Sequence, residues 1–207
     1  MIAQQKRAAA RGKAKPSADE RAARIYRVAA ELITEKGFDG TSMSDIAEAV
    51  QLTKAGLYYY VPGKKALLYS IVSYGMKTIE EGVMAPCALI ECPRERLREI
   101  VRHHTLLLTQ LGGAITILTD EVNGLTPAHR RKITAKKRAY LEFVRETLNE
   151  LKSERRLRSG NIRLLSLNLF STILGVARWY RPDGPETREA VADEVADFVM
   201  AAVLKKT

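Results

Sequence analysis

An all-α fold of about nine helices is what this 207-residue sequence predicts, from three observations. Apolar residues recur at the helical period through almost every segment past Ser17. Serine, threonine, glycine and proline punctuate these stripes where caps and breaks are needed. No run of any length alternates apolar and polar residues as a half-buried strand would, and no repeat of roughly 20 to 50 residues recurs.

The first stripe runs from Asp19 to Lys36 with Ile25, Ala29, Leu32 and Ile33 on one face. Gly37 closes it behind a basic last turn. Ser42 with Asp45 three residues on reads as a capping box, opening a short second helix that ends near Val50. Thr53 caps a third helix through Tyr59, Val61-Pro62-Gly63 breaks it, and Lys64 opens a fourth that reaches about Met84. Pro86 to Pro93 reads as a connection. A helix from about Pro93 to Leu111 follows, then a break at Gly112-Gly113 and a short helix to Val122. In Asn123-Gly-Leu-Thr-Pro127 a turn ends in a threonine cap with proline at the first helical position. The next helix extends to about Arg156, carries Leu141, Val144, Leu148 and Leu151 on one face, and is ended by Ser159-Gly160. The last two span about Asn161–Trp179 and Thr187–Leu204, with Arg181-Pro-Asp-Gly-Pro185 between them.

Two short helices joined by the tight turn Val50-Gln-Leu-Thr53 fit a helix-turn-helix, whose second helix enters the major groove of DNA. Ile46, Ala47, Val50, Leu52 and Leu57 supply its internal packing. The exposed face of the third helix then offers Lys54, Ala55, Tyr58, Tyr59 and Tyr60. Lys54 can donate to guanine or phosphate, Ala55 can touch a thymine methyl, and Gly56 permits close backbone approach. Tyrosine hydroxyls suit phosphate contacts, and Lys64 sits at a helix start where an anion is favoured. A buried aromatic cluster is the competing reading of the tyrosine run.

These residues carry a resemblance. The stretch GFDGTSMSDIAEAVQLTKAGLYYYVPGKKALL, Gly37 to Leu68, resembles the N-terminal signature of TetR-family regulators. The resemblance implies phosphate contacts by Ser42 and Ser44 and base reading by Lys54, Ala55 and Tyr58. It implies backbone clamping by Tyr59, Tyr60 and Lys64, and Thr53 and Gly56 complete the candidate DNA-binding set. Tyr60 stands where the family usually has histidine and Val61 where it has phenylalanine. The domains so implied are a disordered basic tail at 1–18, a helix-turn-helix domain at 19–68, and a ligand-binding and dimerisation domain at 69–207. The function implied is that of a ligand-responsive repressor that binds a palindromic operator as a homodimer and is released by a small-molecule inducer. The stretches DEVNGLTPAHRRKI and ILGVARWYRPDGP are faintly similar to members that sense acyl-CoA thioesters.

The net charge of +10 does not itself mark the DNA-reading surface. Residues 1–18 hold +5 with no acid, residues 128–158 hold +7, and the rest sums to −2. The tail reads either as an arm that tracks phosphates or as a solubilising extension. Arg130-Arg131-Lys132 and Lys136-Lys137-Arg138 read either as a solvated helix surface or as a patch for an anionic ligand such as acyl-CoA phosphates.

The inducer pocket is expected among the helices past residue 93, from His103, His104, Thr105, Leu108, Thr109, Ile117, Glu121, Tyr140, Val144, Asn168, Thr172 and Arg178. His103 and His104 point about 100° apart on a helix and form no joint metal site, so one faces the core and one the surface. The apolar surplus on the helices near 161–179 and 187–204 predicts a two-fold four-helix interface. No metal or cofactor is expected: Cys87 and Cys92 lack partners for zinc and make no disulfide framework. Without a secretory leader or an apolar run of roughly 20 residues, the chain reads as cytoplasmic with no membrane contact. No GxSxG, HExxH or phosphate loop supports an enzyme, and a non-specific DNA protein using the basic tail is the other binding class to test.

Overall fold

Capping groups set where the helices begin. The computed structural model describes residues 17–111, 122–158 and 160–205. Helix α1 (Ala18–Lys36) opens on a capping box between Ser17 and Glu20 and closes at Gly37, whose φ of 77° lies in the left-handed region that glycine adopts without strain. Helix α2 (Met43–Ala49) opens on the expected Ser42–Asp45 box, with bonds of 2.8 and 3.1 Å. Helix α3 (Lys54–Tyr60) is capped by Thr53, whose Oγ1 accepts from the Gly56 N–H at 3.0 Å. Between them Gln51 turns left-handed (φ 61°), which lets the Leu52 N–H reach back to the Ala47 carbonyl at 2.8 Å and sets the corner of the helix-turn-helix.

Helix α4 (Lys64–Ile79) does not stop where the sequence suggests. It passes through a π turn, Glu80–Met84, into α5 (Ala85–Ala88), so the connection expected at Pro86 starts later. A proline inside a helix has no N–H to give and leaves a carbonyl one turn back without its usual donor. Here His103 supplies one, its Nδ1–H donating to the Gly82 carbonyl at 3.1 Å. The widened turn and the borrowed donor let the rod continue past Pro86.

Helix α6 (Pro93–Leu111) is the central element, packed most extensively on the last helix and also against its other neighbours in the C-terminal part. Its stripe of Leu97, Ile100, Val101, His104, Thr105 and Leu108 is fully buried. After the undescribed residues 112–121, a 3-10 turn (Val122–Gly124) leads to α7 (Pro127–Ser153), capped by Thr126 as expected. The short helix expected before Val122 lies outside the described residues. Helix α7 ends before the expected Arg156 because Arg155 turns left-handed (φ 57°), with the Arg156 N–H bonded to the Leu151 carbonyl at 3.0 Å.

Helices α8 (Ile162–Trp179) and α9 (Arg188–Val203) complete the chain, capped by Asn161 and Thr187. Arg98 and Arg102 of α6 pair with Asp197 and Asp193 of α9 at 3.0 and 2.8 Å, fixing the register of that contact rather than supplying much stability at such exposed positions. No strand occurs among the described residues, apart from one isolated bridge, Leu157 to Leu204. No described helix is long and apolar enough to cross a membrane. Both cysteines are free, Cys92 exposed and Cys87 buried, where desolvation pushes the thiol up to about 11.

One buried cluster runs through the chain, and α4 ties its two ends. Beside α4, Gly124 sits so close that a Cβ would stand 2.9 Å from Leu68 Cδ2 and 3.3 Å from the Phe38 ring. Tyr69 stacks on His129 at the start of α7, ring centroids 3.8 Å apart. Gly124→Ala is therefore expected to cost about 1 to 2 kcal/mol by overpacking, lowering Tm by about 3 to 6 °C. A thermal melt with Tm unchanged would show that the 122–125 segment does not press on α4.

Candidate nucleic-acid interface and ligand cavity

On α3, Leu57 is buried to lock the helix onto α2, and the opposite side is open. Lys54, Ala55 and Tyr58 are exposed, and Tyr59 is 86% exposed, far beyond what a packing tyrosine shows. Tyr60 is half-buried against the core and meets Tyr59 edge-on at 5.5 Å, so the aromatic run divides between packing and surface. Gly56 has a local reason as well: a Cβ there would lie 3.1 Å from the Thr53 Oγ1 that caps the helix. Ser42 and Ser44 are exposed at the start of α2, and the Ser42 hydroxyl keeps its proton to donate, because in the cap it only accepts.

Lys64 begins α4, which has no side-chain cap. Its ammonium lies 4.4 Å over the Phe38 ring and donates to the Asp39 carbonyl at 3.4 Å, so it is held at the α1–α2 corner rather than trailing in solvent. Uncapped N–H groups beside Lys64 and Lys65 make this helix start a place for an anion such as a DNA phosphate. Serines, Lys54, the two exposed tyrosines and Lys64 thus lie on the helix-turn-helix and the adjoining helix start, which is what a duplex-reading surface requires.

A cavity of about 440 Å³ opens between α4, α6, α7 and α8. Met76 and Ile79 of α4, His104 of α6, Tyr140 of α7 and Phe170 of α8 form its inner wall, while Lys137, Leu167 and Ser171 stand at its rim. His104, Tyr140 and Phe170 pack edge-to-face with one another, with centroids 5.3 to 6.2 Å apart. His104 Nδ1 and the Tyr140 hydroxyl share a hydrogen bond of 3.0 Å. Burial pushes His104 down to about 4, so its imidazole is neutral, and burial likewise raises Tyr140, which keeps its proton. His104 Nε2 is buried with no hydrogen-bond partner among the described residues. The cavity is therefore apolar, with one unsatisfied polar atom on its wall and a lysine at its mouth.

Residues 25–71 match the family described as bacterial regulatory proteins, tetR family. Residues 91–203 match the tetracyclin repressor-like, C-terminal domain, which is more than half of the chain. The chain belongs to the TetR family. A structure of AibR, solved in complex with isovaleryl coenzyme A and operator DNA, is 34% identical with a TM-score of 0.76, over 89% of this chain and 98% of AibR. The HTH-type transcriptional regulator EthR of Mycolicibacterium smegmatis is 33% identical over 72 residues, 35% of this chain. IcaR of Staphylococcus aureus, the biofilm operon icaADBC HTH-type negative transcriptional regulator, is 49% identical over 44 residues, 21% of this chain. The chain spans 33% of EthR's length and 24% of IcaR's. As a TetR-family protein the chain is a DNA-binding transcription regulator and not an enzyme.

Within this TetR-family frame, the expected ligand residues are only partly brought together. Tyr140 lines the cavity. Of the two adjacent histidines His104 lines it, while His103 faces outward to the Gly82 carbonyl and Glu99. The spacing could have told them apart, since His104 continues the buried series Leu97, Ile100, Val101 and Leu108, and His103 does not. Leu108 and Val144 are fully buried core residues that do not line this cavity. Asn168 and Arg178 are exposed, and Thr172 spends its hydroxyl on the Asn168 carbonyl of its own helix. Ile117 and Glu121 lie outside the described residues. Sequence reasoning missed Met76, Ile79, Leu167 and Phe170, whose apolar stripes carried no sign of which side chains border a gap. Among the described residues no cluster of histidine, cysteine and acids could hold a metal.

The neutral state of His104 sets a pH dependence. In the unfolded chain its imidazole takes a proton as pH falls through 6.5, while in the folded chain it resists until about 4. Its contribution is therefore full above about pH 7 and is lost as pH falls from 6.5 to 4, by about 3 kcal/mol. Denaturation at successive pH values should show this loss in the wild type and a flatter profile in His104→Gln. Superimposable profiles would mean that the imidazole is not buried in a neutral form.

Proposed function

We propose that this chain is a dimeric repressor that binds a palindromic operator and is released by an acyl-CoA thioester. The observation that carries the reading is the wall and mouth of the cavity. An acyl chain suits the apolar surface of Met76, Ile79, Leu167 and Phe170. A thioester carbonyl can accept from His104 in the tautomer whose Nε2 carries the proton, relieving an atom now without a partner. The anionic remainder of such a ligand leaves past Lys137 at the rim, toward the basic face of α7. About 440 Å³ lies within the range of small-molecule sites. The likeness to AibR, a protein solved with isovaleryl coenzyme A and operator DNA, supports the same class of ligand.

Operator reading is assigned to Ser42, Ser44, Thr53, Lys54, Ala55, Gly56, Tyr58, Tyr59, Tyr60 and Lys64, with Lys54, Ala55 and Tyr58 toward the bases and the others toward the backbone. The second copy docks through α8 and α9. Trp179 (57% exposed) and Phe198 (61%) stand over a groove that also includes Val191 and Val195, and Leu164 is exposed on α8. Apolar side chains of this size clustered at a surface are normally covered by a partner. A two-fold axis there would present two α3 helices to successive half-sites about one DNA turn apart.

Fluorescence anisotropy on a palindrome from the chain's own promoter tests the reading. Lys54→Ala is expected to weaken binding about 10- to 100-fold, as loss of one base or phosphate contact does. Short-chain acyl-CoA should raise the operator Kd while free coenzyme A does not, and His104→Phe should bind operator normally but lose the response. The absence of sequence-specific binding at physiological salt would sink the proposal. So would binding lost on deleting residues 1–18 yet untouched by Lys54→Ala, which is the pattern of a charge-only DNA protein.

A further inference from the structure

A second cleft, of about 660 Å³, lies at the other end of the molecule from α3. Helix α7 starts beside Tyr69 of α4 and runs 27 residues, about 40 Å, before reaching it. Arg94 at the start of α6, Arg155 and Arg156 past the end of α7, and Lys205 past the end of α9 surround a floor of Met200 and Leu204. The acid on this lining, Asp197, already pairs with Arg98 at 3.0 Å, and Arg156 pairs with Glu154 at 2.9 Å.

Cations just beyond helix C-termini are ordinary, because they complement the helix dipole. Two features here go further. The segments that carry these cations are stitched together. Arg158 N–H bonds the Val203 carbonyl at 3.0 Å and Lys205 N–H bonds the Arg156 carbonyl at 2.8 Å, on either side of the Leu157–Leu204 bridge. The charges are thus presented from a fixed backbone rather than from loose tails. Arg155 also adopts φ 57°, a left-handed conformation that glycine takes freely and arginine does not. Arginine at this position carries a backbone cost that glycine would avoid, and that strain points to a use for its guanidinium.

We propose that this cleft is a second ligand site, for a phosphorylated small molecule with an apolar or aromatic body, separate from the cavity at His104. Guanidinium forks match the oxygens of phosphate, and several cations converging on one spot call for more than one negative charge. The Met200–Leu204 floor takes the organic part. Operator DNA is not the occupant, because a duplex seated on α3 is about 40 Å away along α7.

Isothermal titration of the full chain with ADP, pyrophosphate and adenosine tests this independently of the repressor reading. ADP is expected to bind more tightly than pyrophosphate, and adenosine not measurably. Arg94→Ala and Arg155→Gly should each weaken ADP at least about fivefold, whereas Lys54→Ala and Lys137→Ala leave it unchanged. Arg155→Gly should also melt at the same temperature as the wild type or higher, since glycine relieves the left-handed backbone, so lost binding cannot be put down to unfolding. No ADP binding at millimolar concentration would overturn the proposal. So would ADP binding that survives both cleft variants, or that disappears with Lys54→Ala or Lys137→Ala.

Discussion

Helix α4 is one rod with two duties, and the rest of the molecule is arranged around that constraint. Its first residue, Lys64, is held at the corner of the helix-turn-helix, and Met76 and Ile79 in its later turns border the cavity. A helix is stiff along its axis and a close-packed core does not yield gradually, so a ligand that displaces Met76 or Ile79 must tilt or shift the rod. The neighbours of α4 leave it few ways to move. Gly124 presses on Leu68, Tyr69 stacks on His129, and Tyr26 of α1 meets Tyr74 at 5.7 Å. At the far end the π turn and Pro86 are held to α6 through His103 and Gly82. On the proposed reading, these contacts make occupancy of the cavity felt at α3.

The cavity has a polar cost built into it. A neutral histidine bonded to a neutral tyrosine avoids burying a charge, yet it leaves one ring nitrogen unsatisfied, which costs about 1 to 3 kcal/mol. A ligand carbonyl at that nitrogen would recover much of this, so a small polar group on an otherwise apolar molecule has a large effect on affinity. It also accounts for a requirement that an apolar wall alone would not impose. A hydrocarbon of the right size leaves Nε2 as unsatisfied as it was.

Local chemistry made much of the fold legible in the sequence. The Ser42–Asp45 box and the Thr53 and Thr126 caps are bonds between residues a few positions apart, the Gly37 stop is the backbone of one residue, and each is present. The exposed side of α3 was legible for the same reason, since Leu57 is its one fully buried residue and Tyr60 only partly joins it. Long-range compensation was not. Pro86 reads as a helix stop, and the π turn before it together with His103, on another helix, explains why it is not one. The cavity was the least legible part. Its wall draws on four helices, and a residue such as Phe170 looks the same in sequence whether it faces a neighbour or a gap. The helical register that places His104 on the buried side and His103 on the other was in the sequence.

If ligand and operator compete through α4, a thermodynamic cycle must close. The affinity of a short-chain acyl-CoA would be measured by titration on the free protein and on the protein saturated with operator. Linkage requires the ratio of these two affinities to equal the ratio of operator affinities with and without ligand. Operator is expected to weaken ligand binding by that same factor, about 5- to 150-fold. Equal ligand affinity in the two states would contradict it, because a ligand that does not distinguish them cannot shift the protein from one to the other.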